Sequence, residues 1–376
     1  MGKRKEKIRA KFRKNRGTRT RTRDLTRRFE QQWYQENDDQ LTERVSGKGE
    51  LTRKRTVIVQ QVAQEGASAC IIPFTDPSKC QLGRVLRVQG LLSTVETDDG
   101  SRWKCATRRL LKTLYTDQRH VVAAGDRVWF RREGKDEGII EAVEPRHGVL
   151  SRSSRGRQHV LVANVDQMLI VASAAEPYLK PNLIDRMLVT AEKSSIHPII
   201  CINKIDLVNP IDLQPIVGVF SQLGYEVLLL SARRSTGIGR LREKMNRRQN
   251  VITGQSGVGK SSLLNAIDPG LRLRVREVST HTQKGRHTTT TAELLPLAGG
   301  GYVVDTPGIR QFQLWDIIPE EIAGFFPDIR PFVSLCRFPD CTHTHEIDCA
   351  VKDAVADMLV DVRRYESYVQ LLQDDA

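Results

Sequence analysis

One eight-residue string constrains this chain more than its composition does: Gly254-Gln255-Ser256-Gly257-Val258-Gly259-Lys260-Ser261. Its three glycines supply backbone conformations closed to residues with a Cβ, so successive N–H groups can turn inward around an anion. The preceding segment, 251–253, reads as a short buried strand, and 262–267 has the apolar texture of a helix. Strand, glycine loop and helix N-terminus in that order make a phosphate cradle. Lys260 would reach the β- and γ-phosphates, and the Ser261 hydroxyl, followed by Ser262, would bind Mg²⁺. Such cradles lie at the carboxyl edge of a parallel sheet, so the surrounding domain is expected to be α/β.

The flanking sequence agrees. Segments 167–172, 197–202, 226–230, 250–253 and 301–304 read as short buried strands separated by helix-like stretches, the pattern of a mostly parallel sheet. Asn203-Lys204-Ile205-Asp206 ends the second of them. A carboxylate there accepts from N1–H and the exocyclic amine of guanine, whereas adenine would leave it unpaired, so GTP and GDP are the expected ligands. Ser231-Ala232 ends the third strand, where its backbone could contact the base. Asp305-Thr306-Pro307-Gly308 ends the last: Asp305 would hold magnesium through water, and the Gly308 N–H would sense the γ-phosphate. Between cradle and Asp305 lies Gly285-Arg286-His287-Thr288-Thr289-Thr290-Thr291. One threonine there, taken as Thr289, would complete the magnesium shell, and an ordinary polar loop is the rival reading.

These elements are those of the GTPase superfamily in a shifted order. A standard chain runs cradle, threonine switch, D-x-x-G, N-K-x-D, S-A; this one starts at N-K-I-D and ends at D-T-P-G. The cycle is intact and its starting point has moved, as circular permutation allows where the original termini lie near each other. The residue after D-x-x-G, a water-orienting glutamine in many GTPases, is here Ile309, which cannot hydrogen-bond water. His287 is the nearest group able to take that role, and the candidate catalytic residues are therefore His287 and Thr289.

Cys336-x4-Cys341-x-His343-x5-Cys349 supplies three thiolates and an imidazole at the spacing of a closed, structural zinc site, with His345 the alternative to His343. A module this small would gain folding energy from Zn²⁺. The seven cysteines do not form a disulfide framework, and the reading is a reducing compartment, the cytoplasm. The longest apolar run, 168–175, has strand length, so no membrane span or membrane partner is expected.

Upstream, residues 55–146 hold four or five short strands with turn signals such as Asp98-Asp99-Gly100, suggesting a small barrel of which the OB-fold is one candidate. Trp103, Trp129 and Phe130 on these strands could stack on RNA bases, but core packing is favoured. Of the net charge of +14, residues 1–28 carry +12, leaving +2 for everything else. That block self-repels and has little to bury, so it is read as a disordered tail. Nucleic-acid contact is favoured over a solubilising or targeting role.

The permuted order, the string 254–262, the switch 285–290, the tetrad 305–308, the Cys/Cys/His/Cys spacing and Arg364-Tyr365-Glu366-Ser367-Tyr368 together resemble the RsgA (YjeQ/EngC) family of small-subunit-dependent GTPases. The resemblance covers about residues 75–370. It implies a multidomain chain: a basic tail and linker (1–54), an OB-fold β-barrel (55–150), a circularly permuted α/β P-loop GTPase (151–318) and a small α-helical zinc module (319–376). It also implies a partner, the small ribosomal subunit and its rRNA, with hydrolysis stimulated there and coupled to release. The protein is expected to act as a monomer. Two other readings compete: an RNA-binding module that keeps GTP as a structural ligand, and an organellar assembly GTPase whose first 54 residues are partly a presequence.

If the tail touches rRNA phosphates, deleting residues 1–28 should flatten the plot of log affinity for small subunits against log salt, by roughly 0.7–0.9 for each phosphate that the tail neutralises. An unchanged slope in a salt-titrated binding assay returns the tail to a solubilising role.

Overall fold

The computed structural model describes residues 5–11, 54–64, 67–73, 79–108, 111, 121–154, 157–273, 292–305 and 318–374. The chain divides into two compact units, Met1–Val122 with Arg127–Pro145, and Ala123–Asp126 with Arg146–Ala376. In the first, β1 (Lys5–Lys11), β2 (Lys54–Gln64) and β3 (Ala67–Pro73) form an antiparallel sheet. Residues 12–53, the remainder of the expected tail, lie outside the described residues.

The barrel is built from β4 (Gln81–Gln89), β5 (Leu92–Glu96), β6 (Arg102–Thr107), β7 (Arg127–Arg132) and β8 (Glu137–Val143). The strands follow the order β4-β5-β6-β8-β7, and β7 pairs back onto β4, which closes the cylinder. Only the β6–β8 pair is parallel. This is the five-stranded OB-type barrel that the turn spacing suggested. Period-two alternation drives it: Val95, Trp103, Cys105, Val128 and Phe130 point inward, while their neighbours are partly or wholly exposed. Trp103 and Phe130 pack at 5.8 Å between ring centroids. Trp129, on the opposite face, donates its indole N–H to Glu144 at 3.0 Å. Trp103 and Phe130 thus serve the core, which removes them as platforms for bases.

In the second unit, β9 (Leu150–Ser154) and β10 (Arg157–Val162) form an antiparallel pair. The central sheet contains β11 (Gln167–Ser173), β12 (His197–Asn203), β13 (Glu226–Leu229), β14 (Gln249–Thr253), β15 (Glu293–Pro296) and β16 (Tyr302–Asp305). Its order is β13-β12-β11-β14-β16-β15, with every pair parallel except β15–β16. Covering helices are α1 (Pro181–Lys193), α2 (Gln214–Gln222), α3 (Ile238–Met245) and α4 (Lys260–Ile267). The near-continuous apolar strands β11 and β12 are buried on both faces, as parallel strands between helices must be. Leu169, Val171, Ile199 and Cys201 alternate toward Leu241, Leu263 and Leu264 of α3 and α4.

The C-terminal residues belong to this second unit too. A 3-10 turn (Pro319–Phe325), α5 (Arg330–Val333), α6 (Ala350–Ala356) and α7 (Val362–Asp374) enclose Ile322, Phe326, Ile329, Val351, Tyr368 and Leu371, and Val189 of α1 completes this core. Among the described residues no helix is long and apolar enough to cross a membrane.

Candidate nucleotide site and metal centre

Because β12, β13, β14 and β16 run parallel, their carboxyl ends share one edge, and each candidate nucleotide motif emerges there. After β14 the chain turns through Gly254, Gly257 and Gly259 at φ of +140°, +83° and +94°. A Cβ on Gly254 would lie 2.0 Å from the Val171 carbonyl oxygen, and one on Gly259 2.5 Å from Asn203 Nδ2. Both positions therefore exclude any side chain, on backbone angle and on space. Helix α4 begins at Lys260, anchored by buried Leu263, Leu264 and Ile267. The Lys260 ammonium donates to the carbonyls of Gly254 (2.7 Å) and Gln255 (2.8 Å), so it lies across its own loop. Ser261 and Ser262 sit half-buried in the first turn, Ser256 is exposed and Val258 is buried beneath the loop.

Asn203, at the end of β12, is 2% exposed. Its amide nitrogen donates to the Val258 carbonyl at 2.9 Å, and its amide oxygen accepts from the Ala232 N–H at 3.2 Å. One side chain thus joins the glycine loop to the Ser231-Ala232 turn. Lys204 follows in the left-handed region at φ +62° and donates to the Glu176 carbonyl. Ile205 and Asp206 open a short 3-10 turn, with the Ile205 N–H on the Leu230 carbonyl.

The Asp206 carboxylate accepts from the Ser231 hydroxyl at 2.6 Å, and that hydroxyl accepts in turn from the Arg234 N–H at 3.1 Å. The serine bond, outweighing the opposing desolvation, holds the Asp206 carboxyl below its usual range and keeps it ionised. Ser231 is fully buried, so its side chain orients the Asp206 carboxylate. From sequence, only a backbone role is expected of it. The Ala232 N–H, expected to face the base, is already taken by Asn203.

The backbone of Asp305 ends β16, on the same edge of the sheet as the end of β12. Gly308, His287, Thr289 and Ile309 lie outside the described residues.

Sγ of Cys336, Cys341 and Cys349 and a ring nitrogen of His343 all lie within 4.8 Å of one another. Cys336 and Cys349 sulfurs are 3.8 Å apart, and His343 Nδ1 is 3.4 and 3.6 Å from them. A tetrahedral ion with ~2.3 Å bonds to sulfur and ~2.05 Å to nitrogen requires edges of about 3.8 Å between sulfurs and about 3.6 Å from nitrogen to sulfur. The donor set fits zinc in chemistry and in size. Position 343 is the member: it is buried, at φ +59°, whereas His345 Nδ1 faces the Thr344 hydroxyl in an exposed contact. Tyr365 and Tyr368 of α7 donate to the carbonyls of His343 (2.7 Å) and Thr342 (2.9 Å), clamping the loop from outside.

A buried ionic contact that spacing does not reveal is that of Arg364. This residue is 2% exposed, with Nε and Nη2 on the two carboxylate oxygens of Asp328 (3.0 and 2.8 Å) and Nη1 on Asp185 of α1. An arginine buried with Tyr368 and Leu371 on one helix face is the available signal.

Comparison with known proteins accords with this geometry. The sequence pattern of the RsgA GTPase family matches residues 143–315. A relative from Gemmatimonas aurantiaca called small ribosomal subunit biogenesis GTPase RsgA is 41% identical over 77% of this chain and 95% of its own length. Its counterpart of the same name in Chlorobaculum parvum is 39% identical, over 77% and 96%. Among solved structures, YjeQ from Thermotoga maritima superposes with a TM-score of 0.65 at 35% identity, over 78% of this chain and 98% of that one. YloQ, described as a circularly permuted GTPase, superposes with a TM-score of 0.62 at 30% identity, over 80% and 97%.

Asp206→Asn should lower GTP affinity by about tenfold or more, since a charge-assisted pair is worth about 1.5–3 kcal/mol, and shift preference toward xanthosine triphosphate, whose extra carbonyl accepts from the new amide. Equal affinity of the wild type for ATP and GTP in a competition assay refutes the base-reading role.

Proposed function

The chain belongs to the RsgA GTPase family, and from that premise we propose that it binds the small ribosomal subunit late in assembly, hydrolyses GTP there and departs on hydrolysis. The observation that supports this best is the 41%-identical relative, itself called a small ribosomal subunit biogenesis GTPase, 95% of whose length this chain covers. On this reading the protein acts in the cytoplasm, as a monomer that touches rRNA.

The chain's own residues divide the work. Asp206, oriented by Ser231, selects guanine, and Asn203 keeps that reader in register with the loop 254–259. Lys260 leaves the Gly254 and Gln255 carbonyls to meet the phosphates, its helix N-terminus adding positive potential. Ser261, Thr289 and Asp305 would hold magnesium, which spreads the phosphate charge that develops during transfer. Ile309 leaves attacking water without a cis glutamine, so intrinsic hydrolysis is slow. His287 supplies the missing hydrogen bond once subunit contact orders the switch, and Gly308 answers to the γ-phosphate. Cys336, Cys341, His343 and Cys349 would hold zinc, which cross-links the loop. Turnover, as against GTP kept as a structural ligand, is favoured by the family and by the paired Lys260 and Ser261.

Phosphate release measured with and without purified small subunits tests the central reading, and no stimulation by the subunit overturns it. Metal analysis should return about one zinc per chain. Cys341→Ser should lose metal and subunit binding while nucleotide binding persists, and zinc-free wild-type protein that still binds subunits would contradict the assignment. His287→Ala should retain GTP affinity and subunit binding but lose about 10²–10⁴-fold of the stimulated rate, the usual worth of a positioned acid–base group. Full stimulation of that variant assigns water positioning to the ribosome.

A further inference from the structure

Helix α1 has two buried faces, and they meet different partners. Leu183, Ile184 and Met187 line a small, partly open pocket together with Ile170 and Ala172 of β11 and with Gln255 and Val258 of the glycine loop. Asp185 and Val189, four residues apart and hence neighbours on a helix, face the other way. Val189 joins the apolar core of the zinc module with Ile322, Phe326, Tyr368 and Leu371. Asp185, 1% exposed, meets Arg364 of α7.

Arg364 is held from every side. Asp328 of the module takes two of its nitrogens, Asp185 of α1 takes a third, and its guanidinium lies 4.6 Å over the Phe326 ring and 6.0 Å over Phe220 of α2. Weaker contacts flank the cluster: Asn182 to Gln370 at 2.7 Å, and Lys193 to Glu321 at 3.0 Å. Two buried carboxylates share this one guanidinium, and Ser367 of α7 also bonds to Asp185, so a shift of α1 against α7 pulls buried polar groups from their partners. The same α7 carries Tyr365 and Tyr368, which clamp the metal-binding loop.

We propose that Arg364 and Asp185 are positioning residues that couple the nucleotide site to the metal-binding module through helix α1. Filling the loop 254–259 with nucleotide fixes the wall formed by Gln255 and Val258. That wall sets the seat of α1, and the Arg364 cluster carries the seat to α7 and the loop it clamps. This path is separate from the chain that leads from Asp305 into the module. The proposal rests on zinc being the ligand of the Cys336–Cys349 cluster, which metal content tests on its own.

The experiment uses the full, zinc-loaded chain and needs no ribosome. Zinc affinity is measured by competition with a chelator, free and saturated with a non-hydrolysable GTP analogue. Analogue affinity is measured with zinc present and stripped. Coupling is reciprocal, so the analogue should tighten zinc, and zinc the analogue, by one common factor of about fivefold or more. The variant Arg364→Met/Asp185→Leu/Asp328→Leu removes all three charges together, which buried ion clusters often tolerate. It should still bind zinc and analogue, with the factor reduced to about 1. Should that variant fail to fold, Arg364→Lys keeps the charge but loses the two-pronged grip, and its factor should fall below half the wild-type value. A wild-type factor of 1 overturns the coupling. A full wild-type factor in whichever of these variants folds removes Arg364 from it.

Discussion

The Asn203 carboxamide bonds at once to Val258 of the phosphate-binding loop and to Ala232 of the base-side turn, 55 residues away in one case and 29 in the other. On the proposed reading these two loops contact the base and the phosphates of one nucleotide, and this amide ties the one to the other. Backbone alone does not fix the distance: the loops leave different strands of the sheet, with β12 and β11 between β13 and β14. Without the amide, a carbonyl and an N–H would be stranded in a dry interior at about 1–3 kcal/mol each, and the register would be released as well.

The same geometry explains why the shifted motif order is harmless. The candidate nucleotide motifs lie along an edge of a parallel sheet, and that edge is defined by strand order and direction rather than by where the chain begins. With order β13-β12-β11-β14-β16 all parallel, the four motif-bearing carboxyl ends face one cleft. Permutation changes instead what is attached to the site. The C-terminal module follows directly after β16, and it packs on α1, the first helix of the permuted domain, so the two ends of that domain are brought together around Arg364.

Charge is used in opposite ways along the chain. The basic excess sits in the first 28 residues, at +12 of a total +14, where charge favours phosphate partners by releasing counterions. In the interior single charges specify contacts: Asp126 with Arg146 at 2.7 Å, Asp206 with Ser231, Arg364 between two aspartates. The Cys336, Cys341, His343 and Cys349 cluster also depends on specific placement, its four ligand atoms lying within 4.8 Å of one another.

What could be read directly from sequence was whatever a short stretch of chain must satisfy locally. Gly254, Gly257 and Gly259 are demanded by positive φ, the apolar runs of β11 and β12 by burial on both faces, and the three cysteines and histidine are close enough in sequence to be read as a cluster that could hold a metal ion. Each is a condition on neighbours in sequence, so composition and spacing reveal it. Only the tertiary structure could decide conditions between distant residues. It turned Trp103 and Phe130 inward through strand register, and chose His343 over His345 by turning one ring into the cluster and the other outward. It gave the Ser231 hydroxyl to Asp206, and set Arg364 against an aspartate 179 residues earlier. The physical reason is that burying a polar group requires a partner, and which partner arrives depends on how helices and strands pack, information that no local stretch of sequence contains.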